Sequence, residues 1–194
     1  MEIWNTPGIV KESSRGYDRF SILDDMLLDR KINCVMEINE DTVNSLIMQI
    51  LYLEKQDPAA EITVYINSPG GSVQDGLALY DVMQAVSCPI RTICIGIAAS
   101  MASILFAAGD RRQMLAHSRV MIHDPRIFKT GGTALELQTI SENLMKTRAV
   151  TAEILSKHTG RSAEEILEKT RTDSYFSADE AVGFGLADEI ITKL

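Results

Sequence analysis

The chain has 194 residues, 45% of them hydrophobic and 24% charged, which suits one globular domain whose core needs neither disulfide nor metal. Its net charge of −8, with no block of Lys or Arg, excludes the basic face that nucleic-acid binding requires. Cys34, Cys88 and Cys94 share no metal-ligand or CxxC spacing, so they read as reduced, small apolar residues and point to a cytoplasmic location. The N-terminus shows no basic stretch followed by an apolar run, so no secretory signal is expected. The uncharged stretch 92–109 approaches the length of a bilayer span, but its Gly, Ser, Thr and Ala content and the lack of a flanking aromatic belt argue against one.

Residues 1–21 carry glycine breaks and no steady periodicity, which predicts an irregular, mobile segment whose Ile3, Trp4, Ile9, Val10 and Phe20 are available to a partner. A short helix is expected over 21–28 and a strand over 32–38. Over 39–56, Val43, Leu46, Ile47, Ile50, Leu51 and Leu53 recur at the helical period until Asp57-Pro58 stops it. A strand over 61–66 runs into Asn67-Ser68-Pro69-Gly70-Gly71, and a helix follows over 73–86. The β-branched, uncharged run 90–97 reads as a buried parallel strand, and 101–108 as a short buried helix. Short strands are expected at 113–115 and 119–122. After a glycine-bearing stretch at 126–133, a long helix runs from Ala134 to about His158, and Thr159-Gly160 closes it. Ser162-Ala163-Glu164-Glu165 and Ser177-Ala178-Asp179-Glu180 are capping boxes for two more helices. The alternation of strand and helix predicts a single α/β domain.

Chemistry concentrates at two strand ends. Ser100 stands at the seam between strand and helix, where a hydroxyl is lifted from the sheet toward backbone amides; the same position suits an ordinary N-cap. Gly70 and Gly71 either make a tight turn or expose amides for an oxyanion. Of the three histidines, His158 sits where a cation complements a helix dipole and His117 lies in a polar loop. His123, at the mouth of a strand, is the one that can share a crevice with Ser100. Asp124 is a poor partner for it, because consecutive strand side chains point to opposite faces. Asp173 is a loop carboxylate without a helical ion pair, one among 27 acidic residues.

Taken together, Tyr65-Ile-Asn-Ser-Pro-Gly-Gly71, Gly96-Ile-Ala-Ala-Ser100-Met101, Met121-Ile-His123-Asp-Pro125, and Asp173 ahead of Phe176-Ser-Ala-Asp-Glu-Ala resemble the ClpP family, the proteolytic subunits of Clp proteases. The resemblance runs in order from about Arg15 to the C-terminus. It implies an α/β, crotonase-like ββα spiral over 22–194 with a protruding handle helix (about 126–158), and an axial N-terminal segment over 1–21. It implies a serine endopeptidase that cuts unfolded proteins into short peptides, with Ser100 as nucleophile, His123 as general base and Asp173 orienting the imidazole. Gly71 and Met101 would donate the oxyanion-hole amides, and Gly70, Ile127 and Phe128 would border the substrate groove. Stacked seven-membered rings and an AAA+ Clp unfoldase are the implied partners. ATP would belong to the unfoldase, since this chain has no phosphate-binding lysine motif and needs no cofactor or metal of its own.

Departures from the family pattern bear on activity. Asp124 replaces a familiar Gln beside His123, and Ile127-Phe128 stand where a Gly-Gly is usual, with Gly131-Gly132 later. Ala102 replaces a usual Gly after Met101, and the loop at 110–117 is about two residues shorter than the family pattern. These changes motivate a second reading, a weakly active ring subunit that depends on another Clp proteolytic subunit or an unfoldase. A third is an acyl-CoA enzyme of the crotonase type, which shares the fold and uses glycine amides for an enolate.

Overall fold

The computed structural model describes residues 7–14, 16–127 and 130–194. The chain opens with β1 (Gly8–Ser13) and β2 (Gly16–Ser21), an antiparallel hairpin with Ile9 opposite Phe20, followed by α1 (Ile22–Leu28). The expectation of an irregular segment over 1–21 is therefore corrected for the described part of it, while residues 1–6 lie outside. The ribbon escaped sequence reading because most of its side chains are exposed, so no buried face imposes an alternating pattern. Its Lys11 ammonium pairs with the Asp25 carboxylate of α1.

Three parallel strands follow, each returning through a helix: β3 (Lys31–Cys34), α2 (Glu40–Gln56), β4 (Ile62–Ser68), α3 (Val73–Ala85) and β5 (Ile90–Ala99). The strand expected over 32–38 stops at Cys34. The chain then swings past Ser68, whose hydroxyl donates to the Met36 carbonyl, and touches the sheet again through a bridge between Ile38 and Gly71. Asn39 caps α2 by accepting from the Thr42 amide, and Thr42 returns the bond to Asn39.

Beyond β5 come α4 (Met101–Ala107), β6 (Arg111–Leu115) and β7 (Arg119–Ile122). Every residue of α4 is buried, as expected for a short helix of Ala, Ser, Leu and Phe enclosed by its neighbours. α3 packs tightly against it: a Cβ on Gly76 would lie 2.2 Å from Met101 Cγ. α5 (Ala134–Thr159) is the expected handle helix, started by the Thr133–Glu136 capping box and ended by Gly160 at φ 70°. α6 (Ala163–Thr170), β8 (Ser174–Phe176), α7 (Ala178–Phe184) and β9 (Glu189–Ile191) complete the chain, with both anticipated capping boxes formed.

The sheet runs β3-β4-β5-β6-β9, and β5 forks: residues 91–94 pair with β6, while 97–99 pair with β7. β7 then takes β8 antiparallel on its far side. The core sits under this fork, where Ile62, Ile66, Ile93, Ala98, Phe106 and Met114 are fully buried. Burying the Ile, Phe and Met side chains contributes about 1.5–3 kcal/mol each. No helix among the described residues is long and apolar enough to cross a membrane.

The bridge at Gly71 makes one residue unusually sensitive. A Cβ there would meet the Ile38 carbonyl oxygen at 2.1 Å, with φ at 152°. Gly71→Ala is expected to cost about 2 kcal/mol, in the range of overpacked sites, read as a lowered midpoint in chemical denaturation. Wild-type stability in that variant would contradict the packing.

Candidate active site

The fork in β5 builds the site. Parallel pairing sets Ala99 beside Met121, so the residues just beyond the two strand ends, Ser100 and His123, emerge side by side. Ser100 has φ 55° and ψ −124°, a backbone conformation a non-glycine residue rarely holds. It is held there by its amide, which donates to the Met121 carbonyl at 2.8 Å, and by its carbonyl, which accepts from the Ser103 amide and hydroxyl. The hydroxyl of Ser100 caps nothing. Its Oγ lies 2.8 Å from His123 Nε2 instead.

The carboxylate arrives by the same logic of register. β8 pairs antiparallel with β7, matching Ile122 with Ser174, so the next step outward sets His123 opposite Asp173. Three residues are too few to show alternation, which is why β8 is invisible in the sequence. The approach stops short of a hydrogen bond: Asp173 Oδ1 is 3.5 Å from His123 Nδ1, beyond the usual N–H···O range. Nδ1 is buried and has no hydrogen-bond partner among the described residues. The same Asp173 oxygen accepts from the Arg126 guanidinium. Nothing in the sequence flagged Arg126 except its place three residues beyond His123.

Burial lowers the pKa of His123 below its ordinary value; the Arg126 charge pushes the same way, and Asp124 opposes them. A neutral imidazole is what accepts a hydroxyl proton. Asp124 itself turns away, as the alternation argument required. Its Oδ1 accepts from Thr170 Oγ1 at 2.6 Å, its Oδ2 accepts from Arg148 Nε at 2.6 Å, and its amide donates to the Thr170 carbonyl. The extra negative charge beside His123 is thus balanced by Arg148 of α5, a residue sequence reading missed.

The glycine turn lies against the elbow. A Cβ on Gly70 would sit 2.5 Å from the Ala99 carbonyl and 2.7 Å from Ser100 Cβ. The Gly70 amide is occupied, donating to Ser68 Oγ at 3.1 Å. Gly71 differs: its bridge uses the Gly70 carbonyl and the Ser72 amide, which leaves the Gly71 N–H outside the pairing. Met101 is the first residue of α4, and its N–H precedes the helical ladder. Beside Ser100 and His123 opens a cleft walled by Val73, Met101, Ile104, Pro125 and Leu155, the last contributed by α5. Ile127 is 44% exposed, and Phe128 lies outside the described residues.

The model of the family described as Clp protease matches residues 14–194. The chain belongs to the Clp protease family. The mixed α/β architecture with its largely parallel sheet and handle helix is the Clp protease fold, and membership makes the chain a Clp-type serine peptidase by family.

The other histidines stand apart from this site. His117 is exposed. His158 is not the dipole-complementing cation expected of it: Tyr80 Oη lies 3.1 Å from its Nε2, and burial lowers its pKa, with Lys157 and Arg112 adding to the effect.

Arg148→Met leaves the half-buried Asp124 carboxylate with Thr170 as its remaining side-chain partner. A loss of about 1–3 kcal/mol is expected, the cost of an underpaired polar group, with Asp124→Asn/Arg148→Met recovering part of it in a denaturation cycle. Unchanged stability in Arg148→Met would remove the balancing role.

Proposed function

We propose that this chain is the proteolytic subunit of an ATP-dependent Clp-type protease, a serine endopeptidase acting on unfolded polypeptides. The observation that carries the reading is the 2.8 Å contact between Ser100 Oγ and His123 Nε2 at a strained strand-to-helix turn. A serine hydroxyl is too weakly acidic to attack an amide unaided, so a hydrogen-bonded base is the first requirement. His123 takes the Ser100 proton as Oγ adds to the scissile carbonyl. The amides of Gly71 and Met101 receive the oxyanion. His123 then hands its proton to the leaving amine, and water, deprotonated by the same ring, releases the acyl group. Asp173 orients the imidazole and balances its charge when it bears both protons. An extended chain lying past Gly70 and Ile127, with an apolar side chain in the cleft against Met101 and Ile104, fits the walls of the site.

Assembly into stacked heptameric rings is supported by exposed Leu135, Met145 and Val150 on α5, which a monomer would leave wetted. Exposed Val10 and Tyr17 on the hairpin, and Leu23, Met48 and Tyr52 on α1 and α2, suit a docking AAA+ unfoldase that supplies the ATP chemistry. The chain itself uses no cofactor in this scheme and works in the cytoplasm.

One observation favours the second reading, a subunit of low activity until it joins another ring or unfoldase: His123 Nδ1 is unpartnered while Asp173 is held by Arg126. Crotonase-type acyl-CoA chemistry has no use for the Ser100–His123 contact.

A fluorophosphonate probe is expected to mark Ser100 in the assembled protein, located by mass spectrometry, and Ser100→Ala is expected to lower peptide hydrolysis by about 10⁴-fold or more. Absence of label in an assembled sample would sink the reading. Because the base works as neutral imidazole and its pKa lies below the ordinary 6.5, hydrolysis is expected to hold from pH 7 down past 6.5 and fall only at lower pH. A half-point above 6.5 would contradict the direction of the shift.

A further inference from the structure

One carboxylate oxygen at the site has two claimants. Asp173 Oδ1 faces His123 Nδ1 at 3.5 Å and is taken by the Arg126 guanidinium. The losing claimant is costly to leave unmet, because His123 is 11% exposed and its Nδ1 is the one buried side-chain nitrogen or oxygen without a partner among the described residues. Most of the surroundings are fixed. β7 is clamped between β5 and β8, and the residue after His123 is tied to Thr170 and Arg148. Arg126 follows Pro125 on an irregular stretch, and the side chains of Arg126 and Asp173 are 46% and 37% exposed. Rotation of these two solvent-reached side chains is therefore enough to move the carboxylate from one donor to the other.

We propose that Arg126 is a positioning residue that withholds Asp173 from His123, so that the peptidase site is latched below its full rate by an intrachain ion pair. The inference rests on the peptidase reading above. While Arg126 holds the carboxylate, the ring lacks the acceptor that fixes the Nε2-unprotonated tautomer facing Ser100 and lacks the counter-charge for the imidazolium formed during attack. Asp124 is no substitute, since both of its oxygens are engaged on the opposite face by Thr170 and Arg148. Release requires only that Arg126 be neutralised, removed or drawn to another acceptor.

The test compares wild type with Arg126→Leu, Arg126→Gln, Arg126→Lys, Asp173→Asn and Arg126→Leu/Asp173→Asn, using a short fluorogenic peptide and a fluorophosphonate, with native mass and thermal melts on each. Arg126→Leu and Arg126→Gln are expected to raise kcat by about 10- to 100-fold, the worth of one charge-assisted hydrogen bond, with KM changed by less than about twofold. Arg126→Lys, which keeps the charge, is expected to stay near wild type. In the Asp173→Asn background the Arg126→Leu gain should vanish. The acid limb of kcat/KM should move to higher pH in Arg126→Leu, because His123 loses a positive neighbour and gains a carboxylate; Arg126 and Asp173 are the charged groups facing it, while Asp124, paired with Arg148 on the opposite face, acts on it only through its field. A folded, equally assembled Arg126→Leu or Arg126→Gln protein with kcat at or below wild type overturns the latch, as does a gain that persists without Asp173. Labelled Ser100 with no gain in Arg126→Leu defeats the latch alone, whereas no label in either protein defeats the peptidase reading with it.

Discussion

The parallel pairing of residues 97–99 with 119–121 is the constraint on which the rest of the site depends. It places two strand ends at the same height, so that residues far apart in the chain leave the sheet as neighbours. The Ser100 amide extends that ladder by one more bond, to Met121. Because the serine is pinned from below by its amide and from above by Ser103, its left-handed backbone is held by the fold rather than by its own preference. The strain is what leaves its hydroxyl free to meet His123. Fully buried α4 then fixes the direction of the Met101 amide, and the close approach of Gly70 and Gly71 is tolerated only because neither carries a Cβ.

Around this frame the charges divide into two pairs with different fates. Asp124 and Arg148 form a half-buried pair between the loop after β7 and the handle helix, with Thr170 donating to the other carboxylate oxygen. It anchors the segment carrying His123 to α5 and α6, so the packing of the handle and the position of the base are mechanically linked. Asp173 and Arg126 form a more open pair in which the same carboxylate is within reach of the ring. The acidic residue after the histidine is thus paired locally, by Arg148 and Thr170. Arg126, two positions later, instead pairs with the Asp173 carboxylate that faces the imidazole.

Much of this was legible in the sequence, for identifiable reasons. Helices with a buried face, such as α2 with Val43, Leu46, Ile50 and Leu53, write their period directly, and the capping boxes at Ser162 and Ser177 mark their helix starts. Ser100 and His123 were recognisable because each ends a β-branched run, and Asp124 was set aside correctly by the alternation of strand faces. What stayed hidden had no local signature. The exposed hairpin of β1 and β2 has no buried face, and β8 and β9 are three residues each, so both exist through partners distant in sequence. Asp173 entered through family resemblance rather than through spacing, and its capture by Arg126 is a side-chain geometry that no pattern encodes. His158 misled for a related reason: its position at a helix end was read from the chain, while Tyr80 comes from another helix.

The proposed reading puts acyl transfer at Ser100, with the oxyanion facing Gly71 and Met101. The most direct measurement is a crystal structure of the protein carrying a phosphonate adduct. The account predicts phosphorus bonded to Ser100 Oγ, with its oxyanion about 2.7–3.1 Å from the amide nitrogens of both Gly71 and Met101. An adduct on another residue, or one on Ser100 whose oxygen turns away from those two amides, would contradict it.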